Sequence, residues 1–569
     1  MTIRRMTALR VGNFKAFSDT QRLPLKPITL IYGPNSAGKS SLVQALALAH
    51  ESEFGNASTE QSAPDVHQTR LGGSAIDLGG FRQYVHRGQA ARRVEWGAEL
   101  DVASIDKAGS GRLAGHLAPA SRVALTISLG IEVDDQERPR PGAEPRVEEI
   151  QITADGAELV RMSRRPAADG AADQGARFRV DRLAVEHPML SRAIVEAIAD
   201  SAKPEDRGQR DPADIMQILG TLVPSLLVRT GRFLPTDAEV SLEETRSAPA
   251  ASERLQLALE RLLPPLLEQL VVGIATAVRE EIGTLRYLGP IRSLPPRHLA
   301  LTEQSDTNRM AGGAWAWDEV RRDDSVRAAV NAWLGSERLK TPYELSVRSL
   351  VPLEGMQRII EDELLDEQYA ESDSAGAVSW GQASRSNGPG DDPSSSGLAS
   401  RLASALASTA NVRFRELVLV DKRRDTVVTH RDVGVGISQV LPVLVMCYGS
   451  RGAMLAMEQP EIHLHPGLQA ELGDVFIQAA MSERRNTLII ETHSEHLLLR
   501  IMRRIRETAK GAAHGHPLIS AEDVAILYVD PHGQGSAVRE MPLTAGGELA
   551  KSWPGGFFEE GLREQFDDA

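Results

Sequence analysis

The stretch ITLIYGPNSAGKSS, residues 28–41, decides the fold of this chain. Its apolar, β-branched or aromatic beginning, Ile28–Tyr32, predicts a buried strand, and Leu42, Leu46 and Ala49 follow at helical spacing. Between them, Gly33–Ser41 fits the pattern G-x-x-x-x-G-K-[ST]. A glycine-rich loop that leads into a helix aims backbone N–H groups at phosphate oxygens, so the stretch predicts a nucleotide-binding loop.

Two polar side chains near the end of the predicted loop, Lys39 and Ser40, have expected roles in binding. Lys39 reaches the β- and γ-phosphates of ATP, and the Ser40 hydroxyl holds Mg²⁺. A chance glycine-rich turn is the alternative, but the strand before it and the helix after it argue against chance. The residues predicted to bind the nucleotide are Gly33, Pro34, Asn35, Ser36, Ala37, Gly38, Lys39, Ser40 and Ser41.

Length and composition exclude several classes of protein. A chain of 569 residues exceeds one ordinary hydrophobic core, so two or more lobes are expected. The net charge of −14 argues against non-specific coating of nucleic acid, which needs many Lys or Arg contacts to phosphate. The single cysteine, Cys447, excludes an internal disulfide. With neither a signal-peptide core nor an uninterrupted apolar span, we expect a cytoplasmic protein without a membrane partner.

The remaining pattern predicts an α/β fold whose core is split between the two ends of the chain. Alternating runs between 92 and 153 predict an antiparallel sheet, and residues 187–232 and 252–284 have helical patterns. A Ser/Gly/Asp-rich stretch, 366–398, is predicted to be disordered. The predicted divisions are 1–110 (first half of the core), 111–284 (inserted strands and helices), 285–411 (connector) and 412–569 (second half of the core, a mainly parallel sheet).

Two later segments are expected beside the phosphate loop. AMLAMEQPEIHLHP, residues 453–466, is an apolar strand that ends in Glu458, which would orient the hydration shell of Mg²⁺. NTLIIETHSEH places His493 just after another strand, where it can contact the γ-phosphate or the attacking water. Thr492 or Ser494 would cap the helix that follows.

The segment DVGVGISQVLP, residues 432–442, is a second glycine-rich turn that leads into a helix. Such a turn offers the same kind of anion site as the phosphate loop. One chain has one phosphate loop and one such turn, so the turn is expected to face the nucleotide of a second copy.

Together these segments resemble the SMC/RecF/OLD-like branch of ABC-type ATPases. LRVGNFKAF and the phosphate loop resemble the start of that family, VGVGISQ its signature turn, EQPEIHLHP its Walker B strand with the D-loop, and ETHSEHLL its H-loop. YLGPIRSLPPR and WPGGFFEEG resemble a bacterial subset, many of them anti-phage defence components. The resemblance covers roughly residues 1–100, 285–300 and 412–569.

The resemblance implies an ABC-type ATPase head with a helical insert that forms a head-to-head homodimer around two ATP molecules. The contacts to the partner's nucleotide would then be Gly434, Gly436 and Ser438, and Gln83 is a candidate for the Q-loop. The implied metal site consists of Ser40 and Glu458, and the implied catalytic set is Glu458, Gln459, Glu461 and His493.

One departure from the family pattern concerns the end of the Walker B strand. The family usually has Asp-Glu-Pro, whereas this chain has Glu458-Gln459-Pro460. A glutamine amide cannot accept a proton, so Gln459 can only position water. Either Glu461 or Glu458 then acts as the base, or hydrolysis is slow and bound ATP holds a long-lived closed state; we expect slow but real ATPase activity.

Three other groups allow alternatives. His463 and His465 resemble a metal pair but suit a D-loop better. Arg500, Arg503 and Arg504 share a helix face that is either solvated or in contact with a partner such as DNA. A Toprim nuclease would need an Asp-x-Asp pair, and VAILYVDPHGQG supplies only Asp530.

Three functions therefore remain open. The first is a homodimeric ATPase, or an assembly of such dimers, that senses or regulates a separately encoded, nuclease-like effector in bacterial anti-phage defence. The second is a RecF-like DNA-repair ATPase. The third is a nucleotide-gated scaffold with negligible turnover.

Overall fold

A computed structural model gives the architecture of the chain. It describes residues 6–55, 71, 76–106, 117, 119–166, 176–201, 212–243, 253–292, 308, 310–335, 338, 340–350, 414–428, 435–513 and 515–558. Two compact units divide it: the larger comprises Met1–Leu294, Ser305–Ala316 and Gly434–Ala569, and the smaller comprises Pro295–Gln304 and Trp317–Val433. The predicted disorder of 366–398 lies outside the described residues.

The described residues form both strands and helices, with runs of consecutive strands in the first half of the chain. The strands are β1 (Met6–Gly12), β2 (Gln21–Pro24), β3 (Ile28–Tyr32), β4 (Val94–Asp101), β5 (Arg122–Gly130), β6 (Arg146–Ala154), β7 (Ala157–Arg164), β8 (Ala176–Leu183), β9 (Leu226–Thr230), β10 (Glu239–Leu242), β11 (Leu285–Leu288), β12 (Tyr343–Leu350), β13 (Phe414–Asp421), β14 (Thr426–Val428), β15 (Met454–Glu458), β16 (Thr487–Glu491), β17 (Val524–His532) and β18 (Gly535–Glu540). The helices are α1 (Lys39–Phe54), α2 (Phe81–Tyr84), α3 (Val102–Asp106), α4 (Pro188–Ser201), α5 (Pro212–Leu222), α6 (Glu253–Gly283), α7 (Ala314–Arg322), α8 (Asp324–Leu334), α9 (Val435–Gly449), α10 (Pro466–Met481) and α11 (Glu495–Ala509).

The central sheet of the larger unit is built from both ends of the chain. Its order is β11-β15-β16-β3-β17-β18, with β18 antiparallel to β17 and the other neighbours parallel. Every residue of β3, β15 and β16 is buried, as expected for parallel strands covered on both faces. The predicted split core is thus present, with β3 between two strands from the far end of the chain.

A nine-stranded antiparallel sheet forms the second layer of this unit. Its order is β10-β9-β8-β7-β6-β5-β4-β1-β2, so the predicted antiparallel region extends well past residue 153. The sheet packs on α1, where the indole Nε1 of Trp96 donates to the Ala45 carbonyl oxygen at 3.1 Å. The prediction of a helical pattern throughout 187–232 is wrong at Leu226–Thr230, because this short apolar run pairs with β8 and β10 instead.

Helix α6 packs against α1, α4 and β10. It is 31 residues long and keeps its course through Pro264 and Pro265. By length and composition it is apolar enough to cross a membrane, which the sequence had not suggested, but half of its most apolar window is buried inside the protein. That burial is typical of a core helix of a folded domain.

The smaller unit contains a three-stranded antiparallel sheet, β12-β13-β14. Asn331 of α8 fixes this sheet, since its side chain accepts from the Leu345 backbone N–H and donates to the Leu345 carbonyl oxygen, both at 2.8 Å. The strands β13 and β14 were predicted as part of the core after 412. They pair with β12 and lie in the other unit, so the second half of the core begins near Gly434.

The arginines of α11 are engaged with carboxylates of the same unit. Asp474 of α10 is 3% exposed and accepts from Arg500 at 2.6 Å and from Arg504 at 2.6 and 2.8 Å. Burial raises the pKa of Asp474, but the two arginines outweigh it and hold the pKa below its usual range. Arg503 pairs with Glu507 at 2.7 Å. Of the three arginines that were candidates for contact with DNA phosphate, Arg500 and Arg504 are thus in an internal ion-pair network, whereas Arg503 forms a pair at the surface.

We expect Asp474→Ala to lower the free energy of unfolding by about 3 kcal/mol, because it leaves two poorly exposed guanidinium groups without their shared carboxylate. Arg503→Ala is the control, since that side chain is 62% exposed and should cost less than about 0.5 kcal/mol. Urea unfolding of both variants measures the difference. Equal effects of the two changes would show that the network contributes no more than a surface pair.

Candidate functional site

The loop Gly33–Ser41 joins β3 to α1 and has the backbone that its glycines allow. Gly33 and Gly38 have φ of 146° and 101°, and Ser36 has φ of 61°. A Cβ on Gly33 would lie 2.5 Å from the Val529 carbonyl oxygen, and one on Gly38 would lie 2.4 Å from the Ala16 Cβ. Glycine is therefore required at both positions for conformation and for space. The last three residues of the loop, Lys39–Ser41, form the first turn of α1, where unpaired N–H groups favour an anion.

Lys39 is held inside this loop. Its Nζ donates to the Pro34 carbonyl oxygen at 2.9 Å and lies 4.0 Å from Oε1 of Glu491. Burial lowers the pKa of Lys39, while Glu491, then Glu458 and Glu461, act to raise it. The ammonium and the three carboxylates thus belong to one site.

Two of these carboxylates come from neighbouring strand ends. Glu458 ends β15, Glu491 ends β16, and the two residues are paired in register. The Tyr287 hydroxyl donates to Glu458 Oε1 at 3.0 Å, and the Ser40 hydroxyl donates to Glu491 Oε2 at 2.8 Å. Burial, and then the charge of Glu491, raise the pKa of Glu458 to about 8. The pKa of Glu491 is also raised, mainly by burial.

The turn after Glu458 brings Glu461 against His493. Gln459 has φ of 45°, and its backbone N–H donates to the Glu491 carbonyl oxygen at 2.8 Å. Glu461 is 6% exposed and accepts from the His493 backbone N–H at 2.7 Å. Within the described part of the chain, Glu461 Oε2 and His493 Nε2 are buried atoms without a hydrogen-bond partner. Burial raises the pKa of Glu461, and burial followed by the charge of Lys39 lowers that of His493.

The predicted signature turn is only partly described. Gly434 lies outside the described residues, Gly436 is half-buried, and a Cβ there would lie 3.0 Å from the His463 carbonyl oxygen. Ser438 is 2% exposed, so its side chain cannot reach a second copy unless the first turn of α9 moves. The expected contact of Ser438 with a partner's nucleotide stays a prediction.

Arg292 connects α9, which begins in the predicted signature turn, to the end of β15, the predicted Walker B strand. Its guanidinium donates to the carbonyl oxygens of Gln439, Glu458 and Gln459 at 3.1, 3.3 and 3.2 Å. The Gln439 amide returns a bond to the Arg292 carbonyl oxygen at 3.3 Å. Burial lowers the pKa of Arg292 to about 10. The segment around 287–292 thus supports both the acid and the helix beside it.

Sequence reasoning missed four residues of this site: Lys15, Tyr287, Arg292 and Glu491. Lys15 donates to Gln44 of α1 at 2.6 Å; burial lowers its pKa, and the charges of Asp77 and Glu458 oppose that shift. The signals available were the YLGPIR string for the second and third residues and the polar end of the strand TLIIE for the last. Only the strand register reveals which of them meet.

Three other residues considered in the sequence analysis, Ser494, His465 and Asp530, make structural contacts. Ser494 caps α11 by accepting from the Leu497 backbone N–H at 3.1 Å, and His465 caps α10 by accepting from that of Gly467 at 3.2 Å. Gln83 is exposed on α2 and its role stays a prediction. Asp530 pairs with Arg539 at 2.6 Å across β17 and β18.

An aromatic cluster covers the site from the C-terminal segment. Trp553 and Phe558 contact the Tyr32 ring, with centroids 5.4 and 5.7 Å away. Phe557 lies 6.5 Å from the His493 ring. The segment that resembled a bacterial subset therefore packs on the end of β3 and beside the H-loop histidine.

The donor set fits Mg²⁺ together with a nucleotide. Among the described residues no group of three His, Cys, Asp or Glu side chains is arranged to hold a metal. The site offers instead the Ser40 hydroxyl and carboxylate oxygens, the hard ligands that Mg²⁺ takes along with substrate phosphates. A metal at this site would depend on the nucleotide to complete its ligands.

Three segments of the chain match known families. Residues 8–103 match a family described as "AAA domain", and residues 286–500 match one described as "AAA domain, putative AbiEii toxin, Type IV TA system". Residues 519–566 match "Protein of unknown function (DUF3696)". No curated protein matches the chain by sequence.

Solved structures give weaker likenesses. An SMC head bound to the C-winged helix domain of ScpA is 9% identical with a TM-score of 0.34, covering 95% of this chain and 98% of that one. The Smc head domain with an extended coiled coil, bound to the C-terminal domain of ScpA from Pyrococcus furiosus, is 9% identical with a TM-score of 0.34. The match covers 94% of this chain and 96% of that one. The SMC head domain from Thermotoga maritima is 8% identical with a TM-score of 0.31, and the match covers 95% of this chain and 100% of that one. Since these TM-scores are low, the assignment depends on the sequence families and the site.

Two segments of the chain are thus similar to AAA domains, the phosphate loop lies in the first of them, and the sheet that carries the site is built from residues near both ends of the sequence. Similarity to AAA domains implies a nucleoside triphosphatase, and such proteins usually use Mg²⁺ with the nucleotide.

We expect Glu458→Gln to stabilise the nucleotide-free, Mg²⁺-free chain increasingly as the pH rises. The raised pKa means that the folded state favours the neutral carboxyl, so the stability that Glu458 contributes at low pH is lost as the pH climbs towards about 8. The measurement is the difference in Tm between variant and wild type at about pH 5.5 and about pH 8.5.

Glu495→Gln is the matched control, because Glu495 is exposed on α11 and its change should give the same difference at both values. A Glu458→Gln difference that does not grow with pH would contradict a buried, neutral carboxyl at this position.

Proposed function

We propose that this AAA-family ATPase binds ATP with Mg²⁺ at the site around Lys39, hydrolyses it slowly, and works in the cytoplasm as a homodimer that regulates a separately encoded, nuclease-like effector in bacterial anti-phage defence. The observation that carries the nucleotide part is the meeting of Lys39, Ser40, Glu458 and Glu491 at the end of one sheet. Assembly of such dimers into larger particles is compatible with the proposal.

Phosphate binding follows from charges already present. Backbone N–H groups of the loop and the start of α1 receive phosphate oxygens, and the Lys39 ammonium exchanges the Pro34 carbonyl oxygen for them. Mg²⁺, when bound, supplies neutralisation of the phosphate charge. Ser40 and Glu458 would hold it.

Slow hydrolysis is supported by the residue at 459. Gln459 can orient water but cannot accept its proton. Glu461 is the acid best supported as the base, because its Oε2 is buried without a partner and its Oε1 already fixes the His493 backbone. His493 would contact the γ-phosphate or the attacking water from the neutral state that its lowered pKa favours.

A homodimer is supported by the presence, in one chain, of one phosphate loop and one further glycine-rich turn that could bind phosphate. The turn before α9 offers a second phosphate-seeking element, and Gly436 lies beside the D-loop residue His463. In the proposed dimer, Gly434 and Gly436 face the partner's nucleotide, and Ser438 does so only after the first turn of α9 moves.

The defence role is supported by resemblance. The family matched by residues 286–500 is described in terms of an AbiEii toxin and a toxin–antitoxin system. The YLGPIR and WPGGFF strings resemble defence ATPases, and both lie at the site. A fold hosts many functions, so this part of the proposal is tested separately by co-purifying the products of neighbouring genes with and without ATP.

A nucleotide-gated scaffold is the second candidate, favoured by Gln459. A RecF-like DNA-repair ATPase has less support, because Arg500 and Arg504 are already paired with Asp474.

We expect Mg²⁺–ATP to convert the wild-type chain from monomer to dimer and Lys39→Ala to abolish this change, since the variant loses the cation that binds the β- and γ-phosphates. Mass in solution, measured with and without ATP, checks the result, and Lys340→Ala in the smaller unit is the control. ATP binding without any change in mass would overturn the dimer but not the ATPase.

We expect Gln459→Glu to accelerate hydrolysis at saturating ATP by at least about tenfold, because it restores a proton acceptor beside the Walker B acid. Steady-state phosphate release measures this, with exposed Gln89→Glu as the control. No acceleration would mean that position 459 does not limit turnover. Phosphate release that stays undetectable in the wild type would favour the scaffold.

A further inference from the structure

We propose that Glu491 is a second carboxylate ligand of the Mg²⁺ that accompanies the nucleotide, next to Ser40 and Glu458. This inference rests on the proposed nucleotide site and adds a residue that neither the motifs nor the family descriptions assign. Glu491 ends β16, and the Ser40 hydroxyl, the metal-binding group of the phosphate loop, donates to its Oε2 at 2.8 Å.

The strand order explains why Glu491 reaches Ser40. β16 lies between β15 and β3, so Glu491 pairs with Glu458 on one side and with Ile31 on the other. Ile31 is two residues before the phosphate loop. Glu458 lies one strand farther from β3 and accepts a hydrogen bond from the Tyr287 hydroxyl at 3.0 Å. Of the two paired carboxylates, Glu491 is therefore the one whose strand adjoins that of the loop.

The surroundings of Glu491 are incomplete for a buried carboxylate. It is 4% exposed, its hydrogen bond comes from a neutral hydroxyl, and the nearest ammonium, Lys39 Nζ, is 4.0 Å away. Glu458 lies beside it with the same charge, and Glu461 adds repulsion. Buried carboxylates so close to one another need a cation to balance their charge.

The ligand chemistry points to Mg²⁺ with phosphates. Mg²⁺ binds through one or two carboxylates together with substrate phosphates and water. Glu458 and Glu491 supply two carboxylates, Ser40 supplies a hydroxyl, and the phosphate loop holds the oxygens that complete the sphere. No trio of protein ligands among the described residues forms a site by itself, so the metal is expected to bind with the nucleotide.

The alternative is that Glu491 only positions Ser40 and Lys39 before the nucleotide arrives. The two roles differ in their dependence on the metal. A ligand affects nucleotide binding only when the metal is present, whereas a residue that positions the phosphate loop affects binding in both conditions.

The experiment measures the affinity of the full chain for a non-hydrolysable ATP analogue, with Mg²⁺ and with EDTA, in wild type, Glu491→Gln and Glu491→Asp. The quantity compared is the ratio of the affinity with Mg²⁺ to the affinity with EDTA. We expect this ratio to be at least about tenfold smaller in Glu491→Gln than in wild type. Its affinity in EDTA should be unchanged or higher, because a negative charge near the triphosphate is removed. Glu491→Asp should keep part of the Mg²⁺ gain, and exposed Glu495→Gln should keep all of it.

Replacing Mg²⁺ by Mn²⁺ allows metal binding to be measured directly, without comparing nucleotide affinities. In the presence of saturating analogue, electron paramagnetic resonance counts bound Mn²⁺, and Glu491→Gln should need at least about tenfold more Mn²⁺ for half-occupancy than wild type. Thermal unfolding without nucleotide shows that each variant is folded. If Glu491→Gln does not fold, the Glu491→Asp ratio decides between the two roles.

Two results would overturn the inference. One is a full Mg²⁺ gain in Glu491→Gln, and the other is an equal loss of affinity with Mg²⁺ and with EDTA, which would assign Glu491 to positioning. Failure of wild type to bind the analogue in either condition would instead overturn the proposed function itself.

Discussion

The parallel pairing of β3 with β16 and β17 is the constraint on which the site depends. β3 leads directly into the phosphate loop, and its two neighbours are strands from the far end of the chain. Parallel neighbours end at the same edge of a sheet, so Lys39, Ser40 and Glu491 meet because of this pairing. β15 then adds Glu458 one strand away. The phosphate loop has a motif of its own, but its acids are supplied only by this sheet.

The edge of the sheet concentrates polar groups that are costly to bury. Glu458, Glu461 and Glu491 are each less than a tenth exposed, and Gln459 and His463 adopt positive φ angles. Such features persist where the surroundings hold them in place. Here the supports are Arg292, which binds three backbone carbonyl oxygens from α9 and the Walker B turn, and the fully buried strands beneath. The rest of the fold thus holds in place a cluster of buried carboxylates that is unfavourable by itself and that a bound cation can stabilise.

Local patterns foretold much of the fold and site, and long-range pairing decided the rest. The glycines, Lys39 and Ser40 follow one another in the chain, so their chemistry is readable directly. Glu491 and Tyr287 gain meaning only from strand register, which no local pattern contains. Leu226–Thr230 is too short to distinguish strand from helix by periodicity. The partner of β13, β12, lies some distance earlier in the chain, so β13 looked like part of the core.

The split sheet has a consequence for biosynthesis. Ile28 is paired with Leu488, so the phosphate-loop strand leaves the ribosome about 460 residues before its neighbour exists. At about 5–20 residues per second, an apolar strand waits for roughly half a minute or more without its final partners. The antiparallel layer has all of its strands between residues 6 and 242, so it can form in the meantime and pack on α1 through Trp96. The nucleotide pocket therefore cannot be complete before β16 has been synthesised, and the nascent chain cannot bind ATP with all of its site residues until then.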